Sequence, residues 1–437
     1  MAVPDFLARL RHSSLLANLA KVTGANVVAQ MIAFAFSPII TRIYGPEACG
    51  IQGVFLSLVA VLSPAAALRY PMAIIVAKSD AAARRLAHLS IQIAFAFACL
   101  ILVGLILFRR TIEQLAGAET LGLLIYFLPL ALFCTACQEV MDCSTARRND
   151  FGLTARVSVI QTCLTNFSRV IGGLLAPVAS VLVIVSSIAP AFQALFLALG
   201  ARRKALPPPP RPESPERPSA KALLTAHRDF PLYRAPTDIL NAASQSVPVI
   251  LLATLFSPYA AGLYALTRTV LSLPFNIIGT AAGNVLYTRF AEMAHSGQKL
   301  TPIVIRTTLA LFAFAPAIVG VGYFFPDIFA VLFGKEWREA GQYGQWMSLW
   351  IAVALANLPT VRVAPVIRGQ HLMLVLNILM LVSRILAIVA GATFYGDALS
   401  SVILYSIVSA AGNLALILML ILLSSRFDKD NYRISLD

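Results

Sequence analysis

Apolar residues run almost without interruption through this 437-residue chain, in blocks of about twenty separated by short polar or proline-bearing turns. At a rise of 1.5 Å per residue, such a block spans a bilayer core about 30 Å thick, so each reads as a membrane-crossing helix. Twelve can be drawn: 17–42, 50–68, 86–108, 121–141, 153–176 and 178–199, then 239–256, 262–290, 303–325, 343–365, 372–394 and 399–424. The strict alternation that a membrane β-barrel needs is absent from the sequence. A further apolar octapeptide, 70–77, is expected to dip into the membrane interface. The predicted fold class is therefore an all-α integral membrane protein of about 12 transmembrane helices.

One stretch breaks the pattern. Residues 200–235 read GARRKALPPPPRPESPERPSAKALLTAHRDFPLYRA, with prolines at Pro207 to Pro210, Pro212, Pro215 and Pro218. Prolines at that density cannot continue a helix, and the charges between them have no apolar face to bury, which predicts an extended, hydrated linker. The expected organisation is a six-helix N-terminal lobe at 1–199, a Pro-rich basic linker at 200–235, and a six-helix C-terminal lobe with a short tail at 236–437. The halves echo one another. Asn26-x-x-x-Gln30 recurs 215 positions later as Asn241-x-x-x-Gln245, and the same shift carries Ser168-Arg169 onto Ser383-Arg384. YGPEACG after the first span also resembles FSPYAAG after the seventh, with Pro46 and Gly50 answering Pro258 and Gly262. Six spans per repeat is an even number, so both copies enter the membrane from the same face, as in transporters with parallel repeats.

Composition agrees: 59% of residues are hydrophobic and 12% charged, with mean hydropathy +0.80, which excludes an ordinary soluble domain. The formal net charge of +14 invites a nucleic-acid partner, but its distribution excludes one. Most of the 34 Lys and Arg cluster at one set of helix ends and in the linker. The opposite ends hold only Arg42, Arg109, Arg110, Lys335 and Arg338. By the positive-inside bias, both termini and the linker face the cytoplasm. The basic, mildly amphipathic start runs into the first span without a signal-peptide cleavage site, and is expected to form an interfacial helix or a frayed tail. The Cys134-x-x-Cys137 pair is embedded in FLPLALFCTACQEV with no histidine nearby, so the six cysteines read as small core residues and no metal site is expected.

Arg169, Arg268 and Arg384 lie within spans. A charge there costs several kcal/mol by insertion scales unless it snorkels or lines a wet cavity, which makes each a functional candidate. Three arginines without three matching in-span carboxylates suggest a cavity for an anion, and guanidinium suits bidentate phosphate contacts. The alternative is structural pairing between helices, with Arg169 and Arg268 reaching the outer interface. Arg42, just before Tyr44-Gly45-Pro46, either faces the same cavity or anchors at that interface. Asn26, Gln30, Asn241 and Gln245 either line a polar cleft or knit helices together; their equivalent placement in both halves favours the cleft. Glu139 and Asp142 share one helix face near the inner end of the fourth span. They are candidates for ion coupling, although the nearness of Arg147 and Arg148 favours a structural ion pair. Prolines within spans, among them Pro38, Pro129, Pro248, Pro274, Pro316 and Pro359, permit bends. Neither a nucleotide-binding loop nor a catalytic metal motif is present and the five histidines stand singly, so no enzyme activity and no cofactor are expected.

Several segments resemble the polysaccharide-transport family of bacterial flippases, the Wzx-like branch of the multidrug/oligosaccharidyl-lipid/polysaccharide exporter superfamily. They are TRIYGPEACGIQGVFLSL, LRYPMAIIVAKSDAAARRL, FPLYRAPTDILNAASQSVPVILLATLFSPYAAGLYALTRTVLSLP, LFGKEWREAGQYGQW and IRGQHLMLVLNIL, spread over most of the chain. The resemblance implies two pseudo-symmetric six-helix lobes forming a V-shaped central cavity in the bacterial inner membrane. It implies passage of an undecaprenyl-diphosphate-linked sugar repeat unit between leaflets by alternating access, for O-antigen, capsule or exopolysaccharide synthesis. Membrane lipids, and a glycan polymerase or chain-length regulator, are the partners it implies. The family has no strict signature to transfer, so Arg42, Arg169, Arg268 and Arg384 rest on their placement. Peptidoglycan-precursor flippases look similar but carry two extra spans, and an end at Asp437 after the twelfth span argues against that branch. The rivals are a small-molecule or multidrug exporter on the same fold, which would want lumenal acids, and a non-transporting member of a glycan assembly complex.

Overall fold

In the computed structural model, the described backbone comprises residues 14–115, 119–203, 219–296, 298–367 and 369–434. The expected interfacial start, 1–13, and the proline run at 204–218 lie outside it. The described residues are helical almost throughout, with no strand among them. Nine helices there are long and apolar enough to cross a membrane. Large apolar side chains stand at their surfaces, with Leu107, Phe394 and Leu422 between 64% and 83% exposed, as lipid-facing positions require. The chain divides into two compact units, Met1–Ile250 and Leu251–Asp437.

Unit 1 opens with α1 (Ser14–Ala66), which is two helices joined at Gly45. Gly45 takes φ 71°, ψ 174°, open to glycine at little steric cost, and Pro46 then starts the second helix where a missing N–H costs nothing. The YGP signal thus separates the first two expected spans, which together form the first of the nine candidates. α2 (Tyr70–Val76) is the apolar octapeptide, now a short helix. Its last carbonyls have no partner within the helix; Arg147 supplies one, donating to the carbonyls of Ile74 and Ala77 and pairing with Asp80.

α3 (Asp80–Leu115) and a 3₁₀ segment (Glu119–Phe127) lead into α4 (Leu128–Arg147), with Pro129 in its first turn. α5 (Phe151–Leu175) begins at Asp150, whose side chain accepts from the Leu153 N–H, and α6 (Ala179–Arg203) returns beside it. α5 carries the expected fifth span but is not among the nine candidates, because Thr154, Arg156, Ser158, Gln161 and Thr162 dilute its hydropathy.

The second part of the expected linker is structured. α7 (Ala220–Ala226) and a π-helical turn (Phe230–Arg234) replace extended chain. Leu223 is buried among Ala73, Ile74, Leu86 and Val140, with Phe230 packed beside it. The ALL run gives this stretch the apolar face that the proline run lacks. α8 (Ala235–Leu255) follows directly, and the division between units falls within it.

Unit 2 continues with α9 (Pro258–His295), capped by the Ser257 hydroxyl, with Pro274 inside it. The expected ninth span, 303–325, holds α10 (Thr301–Phe312) and α11 (Ala315–Tyr323), which together form one of the nine candidates, followed by α12 (Phe325–Phe333). Ala313 and Phe314 keep right-handed helical angles between α10 and α11, so Pro316 bends this span, while Pro326 sits in the first turn of α12, where a missing N–H costs nothing. The remaining helices are α13 (Arg338–Ala356), α14 (Leu358–Val363), α15 (Gln370–Phe394) and α16 (Ala398–Ile434). Pro38, Pro248 and Pro274 lie within continuous helices, so only some of the in-span prolines interrupt their helix.

Candidate functional site

In unit 1, Arg169 sits on α5 with α1 and α6 packed against it. Its Nη2 donates to the Ser186 hydroxyl of α6 at 3.1 Å. That oxygen also accepts from the Gln52 amide at 2.8 Å and donates to the Leu182 carbonyl at 2.6 Å, so its capacity is taken up. The Tyr44 hydroxyl donates to the Arg169 backbone carbonyl at 2.6 Å. Gly173, one turn on, lets Tyr44 lie this close: a Cβ there would stand 2.6 Å from Ile43 and 2.7 Å from the Tyr44 ring. The ionisable groups within electrostatic reach of Arg169 are Cys49 and Tyr44, and no carboxylate lies in ion-pair range among the described residues. Its Nε is buried without a partner.

Unit 2 repeats the arrangement with different neighbours. Arg384, 215 positions after Arg169, lies on α15, and its Nε donates to the Ser409 hydroxyl of α16 at 2.9 Å. Its guanidinium carbon lies 5.6 Å from the centre of the Tyr405 ring and 5.9 Å from that of Trp350. Tyr405 stands edge-on to both Trp350 and Tyr264. Arg268, one helical turn beyond Tyr264 on α9, and Arg384 both lie within electrostatic reach of the Tyr264 phenol. The Trp350 indole N–H is buried without an acceptor, and Arg384 also meets no carboxylate among the described residues.

The magnitudes argue that these cations are only partly compensated. An arginine at a helix centre costs about 3 kcal/mol by insertion scales. A hydroxyl bond to a charged group returns roughly 1.5–3 kcal/mol and a cation–π contact about 0.5–2 kcal/mol. The cations are held, yet neither is neutralised. An anion entering either site would supply the missing charge and the strong bidentate partner that guanidinium is built for.

The other sequence candidates are distributed differently. Arg42 is exposed, three residues before the Gly45 break, and Arg268 is half-buried. Asn26, Asn241 and Gln245 are exposed, while Gln30 is half-buried with its carbonyl oxygen unpartnered. Glu139 pairs with Arg69 at 2.6 Å rather than with Arg147 or Arg148, because Arg147 is spent on the end of α2 and Asp80. The Arg69 Nε also lies 2.8 Å from Asp238, which Arg234 approaches at 3.1 Å. Among the described residues Asp142 has no cation in ion-pair range; it accepts from the amides of Gln193 on α6 and Gln138. No trio of His, Cys, Asp or Glu suited to a metal occurs among the described residues. Sequence reasoning missed Gln52, Ser186, Trp350, Tyr405 and Ser409. The one available signal was that Trp350 and Tyr405 lie well inside spans, away from the interfacial belts such residues favour.

The sequence profile of a polysaccharide biosynthesis protein family matches residues 39–342. The succinoglycan biosynthesis transport protein ExoT of Rhizobium meliloti (strain 1021) is 23% identical over 308 residues, covering 70% of this chain and 60% of that protein. The chain therefore matches about three fifths of this relative's length. Among solved structures, an inward-facing multidrug resistance MATE family transporter of the MOP superfamily superposes with a TM-score of 0.72 at 14% identity, covering 92% of this chain and 96% of the other. The lipid II flippase MurJ in an inward closed conformation superposes with a TM-score of 0.68 at 13% identity, covering 94% and 90%. The fold is thus that of the multi-pass transporters of this superfamily.

Proposed function

The chain belongs to the polysaccharide biosynthesis protein family, and from that premise we propose that it is a flippase for an undecaprenyl-diphosphate-linked oligosaccharide repeat unit. It carries this lipid across the bacterial inner membrane by alternating access, supplying O-antigen, capsule or exopolysaccharide synthesis, with its termini and linker in the cytoplasm. The observation that carries the reading is the pair Arg169 and Arg384: repeat-related, half-buried, each bonded to a serine of the next helix, and neither meeting a carboxylate among the described residues. Such a lipid cannot cross unaided, because its diphosphate and hydroxyls would lose their hydration in hydrocarbon. Fixed guanidinium groups within the spans replace part of that hydration while the prenyl tail stays among apolar surfaces.

Arg42 and Arg268 are assigned to the approach of the diphosphate or of acidic sugars. Asn26, Gln30, Asn241 and Gln245 are assigned to the sugar hydroxyls. Among the carboxylates, Asp142 is the one left for ion coupling, since Glu139 is already matched by Arg69. The similarity to a succinoglycan biosynthesis transport protein supports this direction. An exporter of cationic drugs is disfavoured, since the in-span charges are of the wrong sign for its cargo.

The test is translocation of a fluorescent lipid-linked oligosaccharide in vesicles containing the reconstituted protein, beside efflux of a cationic dye. Lipid translocation that drops at least tenfold in Arg384→Ala, with no dye efflux by the unaltered protein, is the expected result. Normal surface glycan in cells carrying only Arg384→Ala would overturn the assignment.

A further inference from the structure

Unit 2 contains a cavity of about 450 Å³ whose lining side chains are all apolar. Leu271 and Phe275 of α9, Phe314 at the break between α10 and α11, Ile318 of α11, and Ile351 and Leu355 of α13 form most of its wall. It exists because the chain does not run straight here. The regular helix is interrupted between Phe312 and Ala315, and Pro274 of α9 lines the hollow beside Phe314.

The cavity adjoins the arginine cluster along two helices. On α9, Tyr264, Arg268, Leu271 and Phe275 fall at intervals of four, three and four residues, which places them on one stripe. The first two belong to the cationic cluster and the last two to the cavity wall. Seven residues separate Arg268 from Phe275, about 10 Å along the axis. On α13, Trp350, whose ring Arg384 approaches, immediately precedes Ile351, with Leu355 one turn further. Cation and apolar hollow thus follow one another in the same order on both helices. A ligand matching both has an anionic head and, directly attached, an apolar chain.

We propose that this cavity receives the first isoprene units of the lipid carrier whose diphosphate is held at Arg384; this rests on the flippase reading above. A volume in the ordinary small-ligand range holds a segment of such a chain and leaves the remainder in the bilayer. Apolar walls give a chain little net gain over surrounding lipid, so discrimination comes from shape, with the tethered head raising the local chain concentration. Methyl-branched, unsaturated isoprene units are stiffer than straight acyl chains and fit a fixed wall of Leu, Ile and Phe at a smaller ordering cost. Bilayer acyl chains are the competing occupant.

The test uses the full-length protein in lipid nanodiscs, with geranylgeranyl diphosphate, inorganic diphosphate and dioleoyl phosphatidic acid as probes. Ala317→Phe adds a ring to the cavity wall. It is expected to weaken geranylgeranyl diphosphate at least tenfold and leave inorganic diphosphate unchanged, whereas Arg384→Ala weakens both. Unchanged prenyl diphosphate affinity in Ala317→Phe, or displacement by phosphatidic acid at equal concentration, overturns the chain site while leaving the diphosphate site standing. Only unchanged inorganic diphosphate binding in Arg384→Ala removes the latter. If Ala317→Phe does not fold, a diazirine on the first isoprene unit of the prenyl probe decides on the unaltered protein. Labelling within 271–275, 311–325 or 351–355 supports the proposal, and labelling confined to other segments overturns it.

Discussion

The Tyr44 hydroxyl donates to the Arg169 carbonyl at 2.6 Å, which ties the break in α1 to the helix that carries the half-buried cation of unit 1. Two features meet there: Gly45, which turns the chain, and Gly173, which admits the Tyr44 ring. Tyr44→Phe removes one hydrogen bond and should cost about 1 kcal/mol. Gly173→Ala places a methyl within 2.6–2.8 Å of Ile43 and Tyr44, and should cost more, roughly 1–3 kcal/mol from overpacking. Thermal unfolding in detergent, followed by circular dichroism, should rank the variants in that order.

Arg384 is held by two aromatic rings as well as by a hydrogen bond. Arg384→Lys keeps the cation but loses the Nε–Ser409 bond and the guanidinium's approach to Tyr405 and Trp350. Trp350→Leu removes the ring and leaves the charge untouched. Both should weaken diphosphate binding by roughly fivefold, less than Arg384→Ala, since cation–π contacts of this kind are worth about 1 kcal/mol. Equal affinity in Trp350→Leu and the unaltered protein would show that the ring does not position the guanidinium. Calorimetric titration with inorganic diphosphate makes the comparison.

Much of this was legible before any coordinates. Helical blocks announce themselves by length and hydropathy, and Gly45-Pro46 announces the first break. The in-span arginines stand out because they violate the surrounding composition. Their partners do not. Ser186 and Ser409 are ordinary small residues of apolar helices, and only the packing of adjacent helices shows that each receives a guanidinium N–H. The proline at 316 was visible, but sequence does not say whether such a residue kinks a helix or starts a new one; here it bends one span between α10 and α11. The docking of α7 was hidden by the proline run before it, although Leu223 and Leu224 supply an apolar face.

Arg69 joins the end of the second expected span to α4 and α8 through Glu139 and Asp238. Arg69 and Leu68 both adopt positive φ, 57° and 51°, a region that side-chain-bearing residues hold only when their surroundings impose it. Arg69→Ala leaves Glu139 without its cation and Asp238 with only the more exposed Arg234, whereas Glu139→Gln leaves Arg69 with Asp238. The first should cost about 3 kcal/mol and the second clearly less, following the rule that breaking a buried pair from one side is the expensive change. A double-mutant cycle on thermal stability, using Arg69→Ala and Asp238→Asn, should give a coupling of about 1 kcal/mol or more. Additive losses would show that the 2.8 Å approach contributes nothing.

Glu139 and Asp142, three residues apart on one face of α4, face different company and should fail differently. Glu139 is matched by Arg69, so its loss is structural. Asp142 is held by neutral amides, Gln138 on its own helix and Gln193 on α6; the ionisable groups acting near it are Glu139 and the Cys143 thiol. A carboxylate without a cation gains or loses a proton without breaking an ion pair, which is what a coupling group must do. Asp142→Asn keeps the shape and fixes the neutral state. In vesicles with an imposed pH gradient, this variant should still exchange labelled lipid at equilibrium yet lose gradient-driven accumulation. Glu139→Gln should unfold at lower temperature and, once folded, keep its response to the gradient. Gradient-driven accumulation that persists in Asp142→Asn moves the coupling group elsewhere, and leaves the two amides as a purely structural clasp between α4 and α6.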